Sequence, residues 1–357
     1  LRFGYKRARL SWYIVDNIFY RSGGQNKPPN ISDEDLENHY VRPVQPQEIF
    51  TQRDREVINT NYPIFDISYF PTERGPYNFN PDLDQNGLMR DPVSNWGGIT
   101  TAIRTEVDFD KSNIEYIEFW LMDPFIASQN GVVLDGIYNQ PNFTGGEVVF
   151  NLGSVSEDVM RDRKMAFENG LPSDGVKVPG ENVSENNWGV VTTSQFINNA
   201  FNNEPGTRIN QDVGLDGLNN TEELSKFEDF INNLPANITP EAVEAIRNDP
   251  AQDDFEYFLS DDYDANDKQI VERYKRFNGI QGNSPDLSGN TLSYSPSGTT
   301  VPDNEDLNID NTLGDLEEYY EYRVDLQPGQ LEVGERFIQD KVTNIINGDE
   351  VNWYLFR

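Results

Sequence analysis

Strict alternation of apolar and polar side chains constrains this chain more than any other feature, and it is cleanest within residues 95–152. Across residues 114–122, Ile117, Phe119 and Leu121 fall on one side of an extended backbone while Glu118, Trp120 and Met122 fall on the other, the spacing of a half-buried strand. Residues 146–153 repeat the pattern, with Val148, Phe150 and Leu152 set against Glu147, Val149 and Asn151. Two strands able to cover one apolar layer predict a sheet or a sandwich. Just upstream, Asn95-Trp96-Gly97-Gly98-Ile99 places an indole beside two residues free to take positive φ, which predicts a turn or bulge where backbone passes close to the ring.

Aromatic residues reach 12% although the apolar share is only 36%. Disordered chains are poor in Trp, Tyr and Phe, so this mixture predicts extended, aromatic-rich β structure with polar loops. At 357 residues the chain is long enough for two or three domains with a real core. Its 61 acidic and 28 basic side chains give a formal charge of −33, which repels phosphate backbones and argues against nucleic acid as a partner. The same charge favours divalent cations, cationic partners or simple solubility. Cysteine is absent and His39 is the single histidine, which removes thiolate zinc sites, cysteine nucleophiles and multi-histidine metal centres. His39 itself reads as a packing or surface residue. Residues 351–357 read as a strand with Val351, Trp353 and Leu355 on one face; a strand left at a terminus lacks a partner, so the chain reads as a piece of a longer polypeptide.

Taken in order, residues 1–20 predict one long strand or two, in which Ala8, Leu10, Trp12 and Ile14 share a face. Ser32 is placed to cap a short helix through Tyr40, and residues 73–79 (ERGPYNF) form a turn that delivers two aromatics, with Arg74 in a local structural role. Ser156 is placed to cap a helix towards Phe167 with Glu157 and Asp158 in its first turn, and residues 194–203 read as a short helix with Phe196, Ile197, Ala200 and Phe201 on one side. Helical spacing then takes over. Asn220 with Glu223 fits a cap and its reciprocal acid, opening a helix that carries Leu224, Phe227, Phe230 and Ile231; Thr239-Pro240 starts another, and Asp264 caps a third through Phe277. The expected class is α+β, mainly β: a β-sandwich, jelly-roll or carbohydrate-binding-module-like, with a small helical insertion and the start of a second β domain. The boundaries are residues 1–75 (N-terminal strand and extended segment), 76–204 (sandwich), 205–280 (helices with an acidic loop), 281–315 (linker) and 316–357 (second β domain).

The sharpest chemical motif is DVGLDGLNNTEE, residues 212–223. With Asp212 at loop position one, Asp216 and Gly217 fall at five and six and Glu223 at twelve, the spacing by which an EF-hand-like loop wraps oxygen ligands around Ca2+. Gly214 stands where a third ligand is usual, and Asn219 where an apolar residue is. The competing reading is a helix-capping acidic turn, which uses Asn220 and Glu223 without a metal. Asp212, Asp216 and Glu223 are therefore the metal candidates, with calcium as the ion. Residues 82–87 echo the first half of such a loop, but Val93 occupies the closing position, so they read as a polar turn. Asp261, Asp262 and Asp264 offer carboxylates for glycoside chemistry only by chance adjacency in so acidic a chain. No phosphate loop, dinucleotide fingerprint, nucleophile elbow or HExxH helix occurs, so no enzyme, catalytic residue or cofactor-binding residue is expected.

Residues 12–20 (WYIVDNIFY), the ERGPYNF turn, 95–99 (NWGGI), 113–125 (NIEYIEFWLMDPF), 155–159 (VSEDV), 168–172 (ENGLP), 212–218 (DVGLDGL) and 278–285, with its GNSP end, resemble the SprA (Sov) family of gliding-motility proteins. That resemblance implies a segment of the giant outer-membrane β-barrel translocon of the type IX secretion system of Bacteroidota, which conducts folded cargo. The chain would be a soluble insertion or cap between barrel strands, facing the cell exterior. Its implied partners are the rest of the barrel, the accessory outer-membrane and plug proteins, and secreted cargo. A rival reading is a calcium-stabilised carbohydrate-binding cell-surface module with Trp96, Trp120 and Trp188 as platforms, which needs at least two of those rings facing solvent.

Overall fold

A computed structural model describes residues 2–20, 27–52, 61–105, 107–195, 200–277 and 302–357. In chain order the strands are β1 (Ala8–Tyr13), β2 (Asp66–Arg74), β3 (Phe119–Met122), β4 (Val132–Val133), β5 (Gln140–Pro141), β6 (Gly146–Ser154), β7 (Val183–Glu185), β8 (Val190–Thr192), β9 (Glu318–Leu326), β10 (Ile338–Ile346) and β11 (Asp349–Phe356). Between β8 and β9 come the helices α1 (Asn220–Lys226), α2 (Glu228–Asn232), α3 (Pro240–Asn248), α4 (Asp261–Ala265) and α5 (Ile270–Arg273). The fold is α+β and mainly β, built from small antiparallel sheets, with no closed barrel among the described residues.

The two strands legible in the central stretch do not pair with each other. Instead β3 pairs with β11, which also pairs with β10, and β6 pairs with β9 in unbroken register from Gly146↔Leu326 to Ser154↔Glu318. Residues 316–357 thus complete sheets begun within residues 76–204. The terminal strand expected to lack a partner is the middle strand of its sheet.

Alternation along β3 and β11 holds, and both faces are covered. Phe119 and Leu121 join Ile338, Tyr354 and Phe356 on one side, while Trp120 and Met122 join Ile126, Val351 and Trp353 on the other. Phe150 of β6 reaches the first cluster, 5.6 Å from Phe119, so ribbon and sheet form two layers around one apolar filling. That is the sandwich expectation in reduced form.

The helices are packed against the N-terminal ribbon. Tyr13 of β1 stacks on Tyr274 at 4.1 Å, and Phe79, delivered by the ERGPYNF turn, stacks on Phe227 at 3.7 Å. Burying such rings contributes roughly 1.5–3 kcal/mol each, which fixes residues 220–277 to β1 and β2.

Several local expectations give way to longer-range contacts. No helix follows Ser156, because Arg161 and Arg163 take positive φ while Asp158 accepts from the backbone N–H groups of Asp162 and Arg163. Asp264 does not cap. Ser260 caps α4, Gln269 opens α5, and Asp264 accepts from Arg273 at 2.6 Å. Ser32 opens only a 3-10 turn at Asp35–Glu37. Neither Gly97 nor Gly98 takes positive φ; a Cβ on Gly97 would lie 2.8 Å from that of Leu10, so close approach to β1 requires that glycine. Residues 196–199 of the expected short helix, and 281–301 of the expected linker, lie outside the described residues.

Candidate metal centre

Gly214 and Gly217 both take positive φ, 75° and 69°, and turn the chain sharply on either side of Asp216. The turn drives Asp216 inward. Its side chain is fully buried; Oδ1 accepts from the Leu218 N–H at 2.9 Å, and Oδ2 has no hydrogen-bond partner among the described residues.

Helix α1 begins one residue earlier than its sequence suggests. Asn219 is the cap, accepting from Thr221 and Glu222, and Glu222 reaches back to the Asn219 N–H at 2.9 Å. Freed from capping, Glu223 lies on the buried face, 1% exposed, where Oε2 accepts from the Ala251 N–H at 2.8 Å. That bond joins α1 to the segment after α3.

The segment after α3 supplies the acid that sequence reasoning missed. Asp216, Glu223 and Asp253 each bring a carboxylate oxygen to within 4.8 Å of the others, and Asp253 belongs to a second such triplet with Asp249 and Asp254. Its Oδ2 is also buried without a hydrogen-bond partner among the described residues. A side chain at Gly214 would collide with the Asp253 carboxylate. Of the three expected ligands, Asp216 and Glu223 are brought together and Asp212 is not. Asp212 lies just beyond a 3-10 turn (Arg208–Asn210) and pairs with Arg208, Nε to Oδ2, at 2.8 Å.

Burial and the crowding of like charges set the electrostatics. Burial, then the charges of Asp216, Glu223, Asp249 and Asp254, push the Asp253 carboxyl well above the usual carboxylate range. Burial and Glu223 do the same to Asp216. Glu223 is pushed up to about 8, chiefly by burial, against the pull of the Ala251 N–H. Arginine enters at the edge, where Arg276 lies 2.9 Å from Asp249. An all-oxygen cluster of this kind suits a hard divalent cation such as calcium or magnesium, and lacks the nitrogen and sulfur ligands that zinc or copper prefer.

Tyr77, from the ERGPYNF turn, braces the site. Its hydroxyl accepts from the Leu215 N–H at 2.7 Å, and its own N–H donates to Ala251 at 2.7 Å. Arg74 donates to the carbonyls of Asn78 and Pro250, the local structural role expected of it. The adjacent acids Asp253-Asp254 were the available sequence signal, but nothing local ties them to residues 212–223.

The other singled-out residues are structural. His39 is buried: Arg42 donates to Nδ1 at 3.2 Å, and Nε2 lies 3.0 Å from Asp349. Residues 82–87 form a turn in which Asp84 accepts from Asn86 and Leu88. Trp188 is buried and donates to the Met160 carbonyl, Trp120 is half-buried, and of the three proposed sugar platforms Trp96 alone is exposed, with Arg7 5.5 Å from its ring centre. The two-ring platform is not formed.

Residues 229–357 match the family model SprA_N, a motility related/secretion protein. The match runs from α2 through β11 and takes in, of the motifs named above, 278–285. No curated protein matches the chain.

Proposed function

We infer that this chain, whose residues 229–357 form a segment of the SprA motility and secretion family, works as an architectural part of a protein-export conduit. The family match is the observation that carries the reading. Our assignment within that role is an insertion or cap of the outer-membrane translocon of the type IX system, shaping or sealing the path for folded proteins and supporting gliding. Its soluble part would face the cell exterior, with the rest of the barrel, accessory and plug proteins, and cargo as partners, and without bond-making chemistry.

Two features support an architectural role. Strands of the family segment close sheets begun near residue 119, so the matched region is built into the same body as the rest. Apolar sheet faces also line a broad open hollow of about 4320 Å3, with Ile67, Tyr69, Val148 and Tyr322 among its exposed residues. Exposed large apolar side chains grouped around one hollow are what a larger assembly covers. Among the described residues no helix is long and apolar enough to cross a membrane.

The test uses the absence of native cysteine from this chain. Val93, 95% exposed, is changed to cysteine in the full-length protein and intact cells are treated with a membrane-impermeant maleimide. Labelling above that of the same full-length protein with Val93 unchanged supports the exterior assignment; added labelling only after the outer membrane is opened overturns it. In parallel, Trp353→Ala in the middle of β11 should halt export of a secreted reporter and surface spreading. Normal export with the protein present at wild-type level would overturn the conduit reading.

A further inference from the structure

We propose that Asp216, Glu223 and Asp253 bind a calcium ion that ties the loop before α1 to the segment after α3, with Asp249 and Asp254 closing the far side. Acidic side chains crowd together at many protein surfaces without a ligand, so the cluster alone decides nothing. What decides is that Asp216 is fully buried and still leaves Oδ2 without a hydrogen-bond partner among the described residues, while the buried Oδ2 of Asp253 does the same beside it. A buried ionised oxygen without a donor is costly, and a cation is the partner that satisfies several at once.

The donor chemistry selects the ion. Carboxylate oxygens alone favour a hard cation, and calcium, which accepts six to eight oxygens in loose geometry, tolerates a site assembled from separate segments better than magnesium does. The ligand set differs from the loop that sequence spacing suggests, since Asp212 is outside it and Asp253 is inside. This inference does not rest on the secretion reading; either stands if the other fails.

The site would act as a clamp. Residues 212–223 already touch Tyr77, and residues 249–251 touch Tyr77 and Arg74, so an ion between them would lock the helices to the ribbon of β1 and β2.

Thermal melting of the purified full chain in calcium, in magnesium and in chelator tests the proposal, alongside luminescence of bound terbium excited through Tyr77 and Trp188. Calcium should raise the melting temperature by on the order of 5 °C at saturating concentration, and magnesium by less. Asp253→Asn should abolish the shift and the terbium signal while melting no lower than the parent in chelator, which a merely structural residue would not do. Asp212→Asn should keep both. Absence of a calcium shift and of terbium luminescence in the parent overturns the proposal. So does loss of both in Asp212→Asn with retention in Asp253→Asn. A cooperative melt in chelator separates a variant that fails to bind from one that fails to fold.

Discussion

Two groups of buried carboxylates in this molecule answer the same problem differently. Glu157 accepts from the N–H groups of Leu307, Asn308 and Gly314, and Glu305 from those of Met160 and Ala166, so each fastens one loop to another. Asp216 and Glu223 each accept a single N–H, and the Oδ2 atoms of Asp216 and Asp253 accept none among the described residues. Burial is comparable, so burial does not distinguish a staple from a cation site. The number of donors reaching the oxygens does. Glu157 and Glu305 therefore hold loops in place, while the proposed site leaves carboxylate oxygens for an external charge.

The largest expected effect breaks a staple. Glu157→Ala would orphan three backbone N–H groups between residues 307 and 314, and should cost roughly 3–5 kcal/mol in urea unfolding. An unchanged midpoint would mean that residues 302–315 are held by something else. Next comes the sign reversal that sharpens the comparison. In chelator, Asp253→Asn removes like-charge repulsion and should raise stability by about 1–3 kcal/mol; a loss would move Asp253 into the staple group.

An effect of similar size is written into pH. Burial pushes Glu305 up to about 7 in the folded protein, above its unfolded value, so the folded state binds the proton more tightly. Stability from this group is therefore full below the unfolded pKa, about 4.5, and is lost as pH rises towards 7, by up to roughly 3 kcal/mol. Glu305→Gln should flatten that part of the stability profile, and an unchanged slope between those pH values would remove Glu305 as its source. Smallest of all, breaking the exposed pair of Arg323 and Glu147 across β9 and β6, at 3.1 Å, with Arg323→Ala should leave the urea midpoint unchanged, because solvent screens such a pair.

Alternation was legible because a strand's two faces are set locally. Trp120 and Leu121 point to opposite cores, as their spacing requires. Partner choice was not legible, because β3 and β6 recruit strands from the far end of the chain, and nothing in residues 114–153 encodes which apolar edge arrives. Thr239 caps α3 as read, whereas the stretch Asn219-Asn220-Thr221-Glu222-Glu223 contains two overlapping cap patterns. The tertiary claim of the Ala251 N–H on Glu223 selects the earlier one. Two of the three carboxylates expected as calcium ligands converge and Asp212 does not: a loop motif assumes ligands close in sequence, whereas Asp253, which meets Asp216 and Glu223, comes from beyond α3. The helix expected after Ser156 failed for a related reason, since Glu157 and Asp158 bond loop backbone in place of a first helical turn.

The most direct test of the distinction between staples and cation site is a crystal structure of the chain with a lanthanide, located by its anomalous scattering. The account predicts one buried peak between the carboxylates of Asp216, Glu223 and Asp253, and none beside Glu157 or Glu305. A peak on Asp212, or an empty triplet with ions at the staples, would contradict it.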